Sequence, residues 1–290
     1  MTRLTTRLRE IMARNGATMA AGVFNPMVAK LAVEAGFDLL YMPGGGIALN
    51  RLGVADVGLV TLTEMVESAR DIARSVDVPL IADADTGFGN QLNVRRTVRE
   101  YEQAGVAGIH IEDQVFPKKC GHFEGKRVIP LSEAAQKIAA AADARTDPDF
   151  VIIARCDALG QGMDEVVRRC EAYREAGADV LFVDAPRNMA DVKEIATRLP
   201  GPLLYNSSAG GKIPPMTVTE VGDLGYKLMI APNFSALAAI KAIRETFAEM
   251  RASGSVAGVL DRCVSFKDFT ALGGITEFNE IERRFASVDE

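Results

Sequence analysis

The sequence predicts an α/β fold in which eight parallel strands close into a (β/α)8 barrel of the TIM type. Eight short apolar runs alternate with amphipathic segments of ten or more residues, and several of these segments end at the Ala-Gly pair typical of a helix C-terminus. Residues 1–250 have the usual length of such a barrel, roughly 250 residues. A doubly wound sheet is the alternative, but eight regular units favour the closed barrel.

The elements follow one another in a regular order. The expected strands are TMAAGVF (18–24), DLLYM (38–42), PLIADAD (79–85), GIHIED (108–113), FVIIARCD (150–157), VLFVDA (180–185), PLLYNSS (202–208) and KLMIA (227–231). The expected helices between them include PMVAKLAVEAGF, LTEMVESARDIARS, NVRRTVREYEQAG, SEAAQKIAAAADAR, MDEVVRRCEAYREAG and MADVKEIATRL.

Residues 251–290 lack this alternation. No Pro-, Gly- or Ser-rich linker and no block of like charge marks a further domain. We therefore predict a catalytic barrel over residues 1–250 and a C-terminal helical extension over residues 251–290, which packs on the barrel or on a neighbouring subunit.

The composition argues against several classes of protein. Of the 290 residues 48% are hydrophobic, and 39 acidic against 33 basic residues give a net charge of −6, which disfavours a surface that neutralises nucleic-acid phosphates. The stretch MTRLTTRLREIMARNGATM has no apolar core of signal length, and no run of eighteen apolar residues occurs. We expect a soluble cytoplasmic protein that binds a small molecule rather than nucleic acid or membrane.

The cysteines are expected to be free thiols. They are Cys120, Cys156, Cys170 and Cys263, and they lie far apart without the spacing of a disulfide scaffold. No CxxC or HxxxH pair is present to build a closed zinc site. The spacing therefore disfavours zinc as well as disulfides.

The ends of the expected strands are rich in carboxylates, and barrel enzymes place their catalysis there. Asp83 and Asp85 end the third strand, Glu112 lies at the end of the fourth, and Asp56 lies in the loop after the second. Carboxylates that converge at one mouth repel one another unless a cation neutralises them, and oxygen ligands favour Mg2+, with Mn2+ as a substitute. We therefore predict a Mg2+ site built from Asp83, Asp85, Asp56 and Glu112.

Other polar features at the strand ends have simpler interpretations. The glycines of MPGGG bring bare backbone N–H groups towards an anionic ligand, or they form only a turn. His110, inside the apolar run AGIHIED, is expected to be structural. Asp113 and Asp157 are expected to cap a helix or to pair with a cation.

The segment KKCGH gathers Lys118, Lys119, Cys120 and His122 in the loop after the fourth expected strand. Two interpretations are open. In the first, Cys120 and His122 bind a metal ion. In the second, the lysines and a protonated His122 lower the pKa of the Cys120 thiol, so that it exchanges a proton with carbon. The absence of zinc-ligand spacing favours the thiol. A thiol acid beside a Mg2+ site indicates chemistry on a carboxylate-bearing substrate.

Seven motifs resemble, in order and spacing, those of the isocitrate lyase and phosphoenolpyruvate mutase superfamily. They are YMPGGG, LGVADVGL, LIADADTGFGN, HIEDQ, KKCGH, DFVIIARCDAL and LLYNSS. KKCGH is the most specific because it is typical of the carbon–carbon bond lyases of that superfamily, and the chain length favours the 2-methylisocitrate and 2,3-dimethylmalate lyases. The resemblance implies a Mg2+-dependent barrel, a gating loop that carries the cysteine, and a homotetramer whose C-terminal helices are exchanged between subunits.

The resemblance also implies roles for individual residues. The implied metal ligands are Asp83, directly, and Asp56, Asp85 and Glu112, through water. The implied substrate-binding residues are Tyr41, Gly44, Gly45, Arg155, Asn206 and Asp184. The implied catalytic residues are Cys120 as the general acid, with His122, Arg155 and Tyr41.

Two positions depart from the pattern of that superfamily. Pro43 stands where a serine is usual before the glycines, which removes a hydroxyl group and a backbone N–H. Asp184 stands where a longer glutamate is usual, which shortens its reach to Arg155 or to metal-bound water. Both positions bear on the identity of the substrate.

We therefore expect a Mg2+-dependent lyase that cleaves the C2–C3 bond of a 2-hydroxy di- or tricarboxylate of the 2-methylisocitrate or 2,3-dimethylmalate type. The products are a 2-oxo acid such as pyruvate and a second acid that Cys120 protonates. Hydrolysis or decarboxylation of oxaloacetate, or phosphonopyruvate-type chemistry, is the alternative within the superfamily. The non-enzyme alternative is a catalytically silent barrel that acts as a binding protein.

Overall fold

The computed structural model describes residues 2–119 and 125–286. Eight parallel strands pair in chain order, and the eighth pairs with the first, so that the sheet closes into a barrel. The strands are β1 Thr18–Gly22, β2 Leu40–Met42, β3 Leu80–Asp83, β4 Gly108–Glu112, β5 Val151–Cys156, β6 Val180–Val183, β7 Leu203–Asn206 and β8 Leu228–Ala231. The predicted (β/α)8 barrel is confirmed, and each strand lies within its expected apolar run.

Helices precede, separate and follow the strands. They are α1 Leu4–Met12, α2 Pro26–Glu34, α3 Gly44–Ile47, α4 Leu62–Arg74, α5 Gln91–Ala104, α6 Leu131–Ala144, α7 Met163–Glu175, α8 Met189–Arg198, α9 Val218–Asp223, α10 Phe234–Ser253, α11 Phe266–Leu272 and α12 Ile275–Phe285. A π-helical turn at Ala48–Leu52 continues α3, and 3-10 turns occur at Ala158–Gln161 and Ala257–Arg262.

Local sequence signals fix where several of these helices begin and end. At α4 the Thr61 side chain accepts a hydrogen bond from the Glu64 N–H, and the Glu64 carboxylate accepts one from the Thr61 N–H, which is a capping box. Helix α5 ends at Gly105, whose φ of 89° is a left-handed conformation that suits glycine. The chain therefore enters each following strand at a defined point.

The barrel has two cores. The outer core lies between strands and helices, and the inner one fills the barrel with side chains such as Tyr41, Ile81 and Phe182. Leu8 and Ile11 of α1 belong to the inner core, and α1 lies near the start of β5, where Arg9 donates to the backbone carbonyl of Asp149. Helix α1 therefore closes the N-terminal end of the barrel, which leaves the C-terminal end for a site.

The chain divides into two compact units, Met1–Ala236 and Leu237–Glu290. The first contains the barrel. The second contains most of α10 together with α11 and α12, and its described residues expose many large apolar side chains, among them Phe247, Phe266, Phe269, Phe278 and Phe285. The functional division at residue 250 stays a prediction. None of the described helices is long and apolar enough to cross a membrane.

Candidate active site

The ends of four neighbouring strands bring predicted site residues together. Tyr41 lies in β2, Asp83 ends β3, Glu112 ends β4, and Arg155 lies in β5. Glu112 stands opposite Arg155 in the register of β4 and β5. All four side chains are buried, so the barrel holds two carboxylates, a guanidinium and a phenol at its C-terminal mouth.

Asp85 also lies at this mouth, but a turn after β3 brings it there rather than the alternation of side chains along the strand. Strand β3 ends at Asp83 and not, as expected, at Asp85, because Asp85 adopts a left-handed conformation with a φ of 47°. The Asp85 N–H donates to Asp83 Oδ1 at 2.9 Å, and the Asp85 carbonyl accepts from the Glu112 N–H at 2.9 Å. Such a backbone conformation is costly for a residue with a side chain and is common at functional sites.

Gly44 and Gly45, the two glycines predicted to bind substrate, have different surroundings. The Gly44 N–H donates to Asp83 Oδ2 at 3.0 Å, so the group expected to meet an anionic ligand meets a protein carboxylate. A Cβ atom at Gly44 would lie 2.6 Å from Asp83 Oδ2, whereas the nearest atom to one at Gly45 would be Asp56 Cβ at 3.6 Å. The close approach to Asp83 therefore requires glycine at residue 44, whereas Gly45 meets only ordinary contacts.

Lys118 is a site residue whose position the sequence did not indicate. Its ammonium group lies 2.5 Å from Asp56 Oδ1 and 2.7 Å from Asp85 Oδ1, and its side chain is 2% exposed. Burial alone would lower the pKa of Lys118, but the carboxylates of Asp85, Asp83, Glu112 and Asp56 outweigh burial and raise that pKa well above its ordinary value. The positive charge expected to acidify Cys120 is thus balanced by carboxylates.

The carboxylates of this cluster differ in their ease of ionisation. Burial raises the pKa of Asp85 to about 7, despite the ion pair with Lys118. Burial also raises the pKa of Glu112 well above its ordinary value, and Arg155 opposes that shift. For Asp83 burial is outweighed by His110, Lys118 and Arg155, which lower its pKa. Asp83 is therefore the most readily ionised of these three residues.

The donor set fits a hard divalent cation. Among the described residues, no group of three or more His, Cys, Asp or Glu side chains is arranged to hold a metal ion. Mg2+, however, needs only one or two direct carboxylates and keeps its waters. Neither carboxylate oxygen of the buried Glu112 accepts a hydrogen bond within the described chain. The neighbouring carboxylates offer oxygen atoms as metal ligands.

Arg155 is surrounded by carboxylates. Its Nε donates to Asp157 Oδ2 at 2.8 Å, one terminal nitrogen donates to Asp184 Oδ2 at 2.8 Å, and the other lies 3.2 Å from Glu112 Oε2. The Asp184 side chain, although shorter than the glutamate usual at this position, is thus long enough to reach Arg155. The amide of Asn206 donates to Asp184 Oδ1 at 3.0 Å, which places Asn206 beside this pair.

Asp157 pairs with cations, which is one of the two roles expected for it, and His110 is buried and hydrogen-bonded, as expected of a structural histidine. Asp157 Oδ1 accepts from Lys126 at 2.8 Å and, more weakly, from Gln114 at 3.4 Å, so it joins Arg155 to the loop after β4. His110 Nε2 lies 2.8 Å from the Tyr41 hydroxyl oxygen. Both pairings depend on the three-dimensional path of the chain, and the sequence carries no local signal for them.

A cavity of about 620 Å³ adjoins this cluster. Its polar lining includes Asp157, Asp184 and Asn206, which connect it to Arg155. Its apolar lining consists of residues such as Leu159, Pro186, Tyr205, Ile213, Pro214 and Phe234. Cys120 and His122 of the predicted site lie outside the described residues.

The match to a known protein family covers the barrel. Residues 8–251 match the family described as phosphoenolpyruvate phosphomutase, which is well over half of the 290 residues. This chain belongs to the isocitrate lyase and phosphoenolpyruvate mutase superfamily. The resemblance seen in the seven sequence motifs is therefore confirmed.

Two relatives within this superfamily are similar along nearly their whole length. A 2,3-dimethylmalate lyase of Eubacterium barkeri is 44% identical over 282 residues, which cover 97% of this chain and 98% of the relative. A 2-methylisocitrate lyase of Aeropyrum pernix is 42% identical over 97% of this chain and 90% of the relative. Both are lyases, and this chain is a carbon–carbon lyase of the same superfamily.

Solved structures of the superfamily share the fold. An oxaloacetate acetylhydrolase in complex with 3,3-difluorooxalacetate aligns with a TM-score of 0.91 at 36% identity and covers 96% of each chain. A phosphonopyruvate hydrolase in complex with oxalate and Mg2+ aligns with a TM-score of 0.88 at 34% identity and covers 98% of this chain and 99% of the other. The superfamily thus contains several chemistries on one barrel.

Proposed function

We propose that this chain is a Mg2+-dependent lyase that cleaves the C2–C3 bond of a 2-hydroxy di- or tricarboxylate of the 2,3-dimethylmalate or 2-methylisocitrate type. The observation that carries the proposal is the cluster of buried carboxylates beside Arg155, at the mouth of a barrel whose relatives at 42–44% identity are lyases. The products are a 2-oxo acid such as pyruvate and a second carboxylic acid.

In this proposal Asp83 holds the metal directly, and Asp56, Asp85 and Glu112 hold its waters. When bound, Mg2+ supplies positive charge that stabilises the negative charge developing on the substrate oxygens. The oxygen ligands support the assignment, as does the buried Glu112, whose carboxylate accepts no hydrogen bond from the described residues. Mn2+ has the same preference for oxygen and is expected to substitute.

The remaining residues bind the substrate and move protons. Tyr41, Gly44 and Gly45 hold the 2-hydroxy acid end, while Arg155 and Asn206, with Asp184 beside them, hold a carboxylate. As the C2–C3 bond breaks, its electron pair passes to the departing fragment, which becomes an enediolate. Cys120, assisted by His122, then donates a proton to its carbon. The 2-hydroxyl group loses its proton to the site as C2 becomes the carbonyl carbon of the 2-oxo acid, and Cys120 delivers one proton to carbon, so the proton count is unchanged.

The cavity beside Arg155 supports substrates with alkyl groups on the departing fragment. Its apolar wall of Leu159, Pro186, Ile213 and Phe234 gives methyl groups a surface to pack against. Lys212 also lines the cavity and is exposed, so a cation is available at the rim for a second carboxylate.

A substrate screen tests the proposal. We expect pyruvate release from 2,3-dimethylmalate or 2-methylisocitrate in a coupled assay, loss of release after EDTA treatment, and recovery with Mg2+ or Mn2+. Isocitrate, followed by glyoxylate release, is the control for selectivity. Full turnover after exhaustive chelation would contradict the metal assignment, and failure of every 2-hydroxy acid would contradict the lyase assignment to these substrates.

Oxaloacetate hydrolysis is the second candidate, because the fold aligns with an oxaloacetate acetylhydrolase at a TM-score of 0.91. Product analysis with oxaloacetate separates the two functions. Formation of oxalate and acetate would favour hydrolysis, formation of pyruvate and carbon dioxide would favour decarboxylation, and unchanged oxaloacetate would favour the lyase.

We further propose a cytoplasmic homotetramer in which the C-terminal helices are exchanged between subunits. No residue of α10, all of which is described, is buried, and Phe247, Phe266, Phe269 and Phe278 are each more than half exposed. Monomeric proteins seldom expose so much apolar surface. Light scattering coupled to size-exclusion chromatography is expected to give four chain masses, and a monomer at micromolar concentration would contradict the assembly.

The free thiols of Cys156, Cys170 and Cys263 support the proposed cytoplasmic location, because free thiols are typical of a reducing compartment.

A further inference from the structure

Lys118 occupies a position that bears on the proposed metal. Its ammonium lies between Asp56 Oδ1 and Asp85 Oδ1, at 2.5 and 2.7 Å, and those carboxylates are two of the four assigned to the cation. In the proposed assignment these carboxylates accept hydrogen bonds from metal-bound water, so an ammonium group that occupies the same oxygens displaces that water and places a second positive charge beside the cation in buried surroundings. Lys118 and a divalent cation are therefore alternatives at this pair of residues.

The backbone next to Lys118 is held firmly. The Lys119 N–H donates to Gln114 Oε1 at 3.1 Å, and Gln114 Nε2 donates to the Lys119 carbonyl at 2.9 Å. Gln114 is 2% exposed, and the two bonds that it forms to the exposed Lys119 are partly buried. One side chain thus fixes both backbone polar groups of the residue that follows Lys118.

Gln114 is itself anchored to the barrel. It lies two residues after β4 and forms an isolated antiparallel bridge with Val128. Its amide also lies 3.4 Å from Asp157 Oδ1, the carboxylate that holds Arg155. The position of Lys118 is therefore set by the same elements that carry the candidate active site.

We propose that Lys118 competes with the divalent cation for Asp56 and Asp85, and that Gln114 keeps it in the competing position. The proposal rests on the metal assignment of the proposed function and adds a regulation of that site by the chain itself. The cation binds fully only when Lys118 leaves Asp56 and Asp85, so metal binding is coupled to movement of the backbone at Lys119.

The opposite role would change metal affinity in the opposite direction. If Lys118 only orients Asp56 and Asp85 for metal-bound water, then removal of its ammonium weakens metal binding. If it competes, then removal strengthens metal binding. The direction of the change in affinity therefore separates the two roles.

Titration of the full-length protein with Mn2+ alone, followed by the electron paramagnetic resonance signal of free Mn2+, measures this affinity without substrate or turnover. We expect Lys118→Met to lower the Kd by about tenfold, because one positive charge leaves a buried site. We expect Gln114→Leu, which keeps that charge but releases the backbone, to lower it by about threefold. Lys119→Met is the matched control, since it removes an adjacent charge and keeps the backbone bonds, and its Kd should stay within about twofold of the unmodified protein.

Thermal unfolding with and without Mn2+ provides a second measurement that also shows whether each variant is folded. The rise in Tm on adding Mn2+ should be largest for Lys118→Met, because tighter binding to the folded state stabilises it more. An unchanged or weaker Mn2+ affinity in Lys118→Met would overturn the competition and leave the metal site standing. The absence of Mn2+ binding in every variant would overturn both the competition and the metal assignment.

Discussion

Cys120→Ser is expected to lose turnover by roughly a hundredfold to ten-thousandfold, the range that a positioned general acid contributes. A thiol has a pKa of about 8.5 when unperturbed, and a serine hydroxyl is a far weaker acid. Serine therefore retains the size and polarity of the side chain but delivers a proton to carbon much more slowly. Turnover is measured by pyruvate release from the substrate that the screen identifies.

Fold and metal binding should survive this substitution, because Cys120 is not one of the residues assigned to the metal. Circular dichroism and Mn2+ titration check both properties. Cys263→Ser is the matched control, since Cys263 is an exposed free thiol outside the barrel unit, and it should retain normal turnover. Near-normal turnover in Cys120→Ser would remove the acid role and leave KKCGH without an assigned chemical function.

Cys120 should also react with iodoacetamide, since the proposed chemistry requires a thiol that substrate can reach. Pyruvate with Mg2+ should slow that reaction if the loop closes over the bound product. The two lysines of KKCGH are not expected to affect the pKa of the Cys120 thiol equally, because two carboxylates balance the charge of Lys118. Any decrease in the thiol pKa must therefore come mainly from other groups.

The barrel could be predicted from the sequence because its strands are buried on both faces. A run such as FVIIARC is apolar at nearly every position, and the observed β5 is buried throughout. The positions of Asp83, Glu112 and Arg155 followed from the same reasoning, since polar residues at the ends of such runs meet at one mouth of a barrel.

The contacts of Lys118 and Gln114, and the choice of Lys126 as a partner of Asp157, could not be predicted in this way. Each depends on a loop that returns to the barrel, and the energy of an ion pair or hydrogen bond between distant residues leaves no periodic pattern in the sequence. Asp85 shows the same limit on a smaller scale, because its approach to Asp83 comes from a left-handed backbone conformation rather than from strand alternation.

Arg155→Met is expected to abolish turnover and to lower the free energy of unfolding by about 3–5 kcal/mol, the cost of removing one partner from a buried charge network. The guanidinium pairs with Asp157, Asp184 and Glu112, and all four side chains are buried. Methionine fills a similar volume, so most of the loss arises from Glu112 and Asp184, which lose their ion pair with Arg155, whereas Asp157 keeps its pair with Lys126. Urea unfolding measures the change.

Arg187→Met is the matched control for this prediction. Arg187 forms a comparable two-point pair with Asp191, but its side chain is 55% exposed, so water and salt screen the pair and its loss should cost about 1 kcal/mol or less. Comparable losses in the two variants would show that burial of the Arg155 network contributes little.

The dependence on pH separates lost charge compensation from lost packing in Arg155→Met. Without the guanidinium, the buried carboxylates should have a folded-state pKa above that of the unfolded chain, because burial disfavours the charged form. Stability is then retained below the unfolded pKa and falls as the pH rises towards the folded pKa. The deficit of Arg155→Met should therefore be smaller at pH 5 than at pH 8. A deficit that does not change with pH would assign the loss to packing and would leave Arg155 without its role as the counter-ion of this carboxylate cluster.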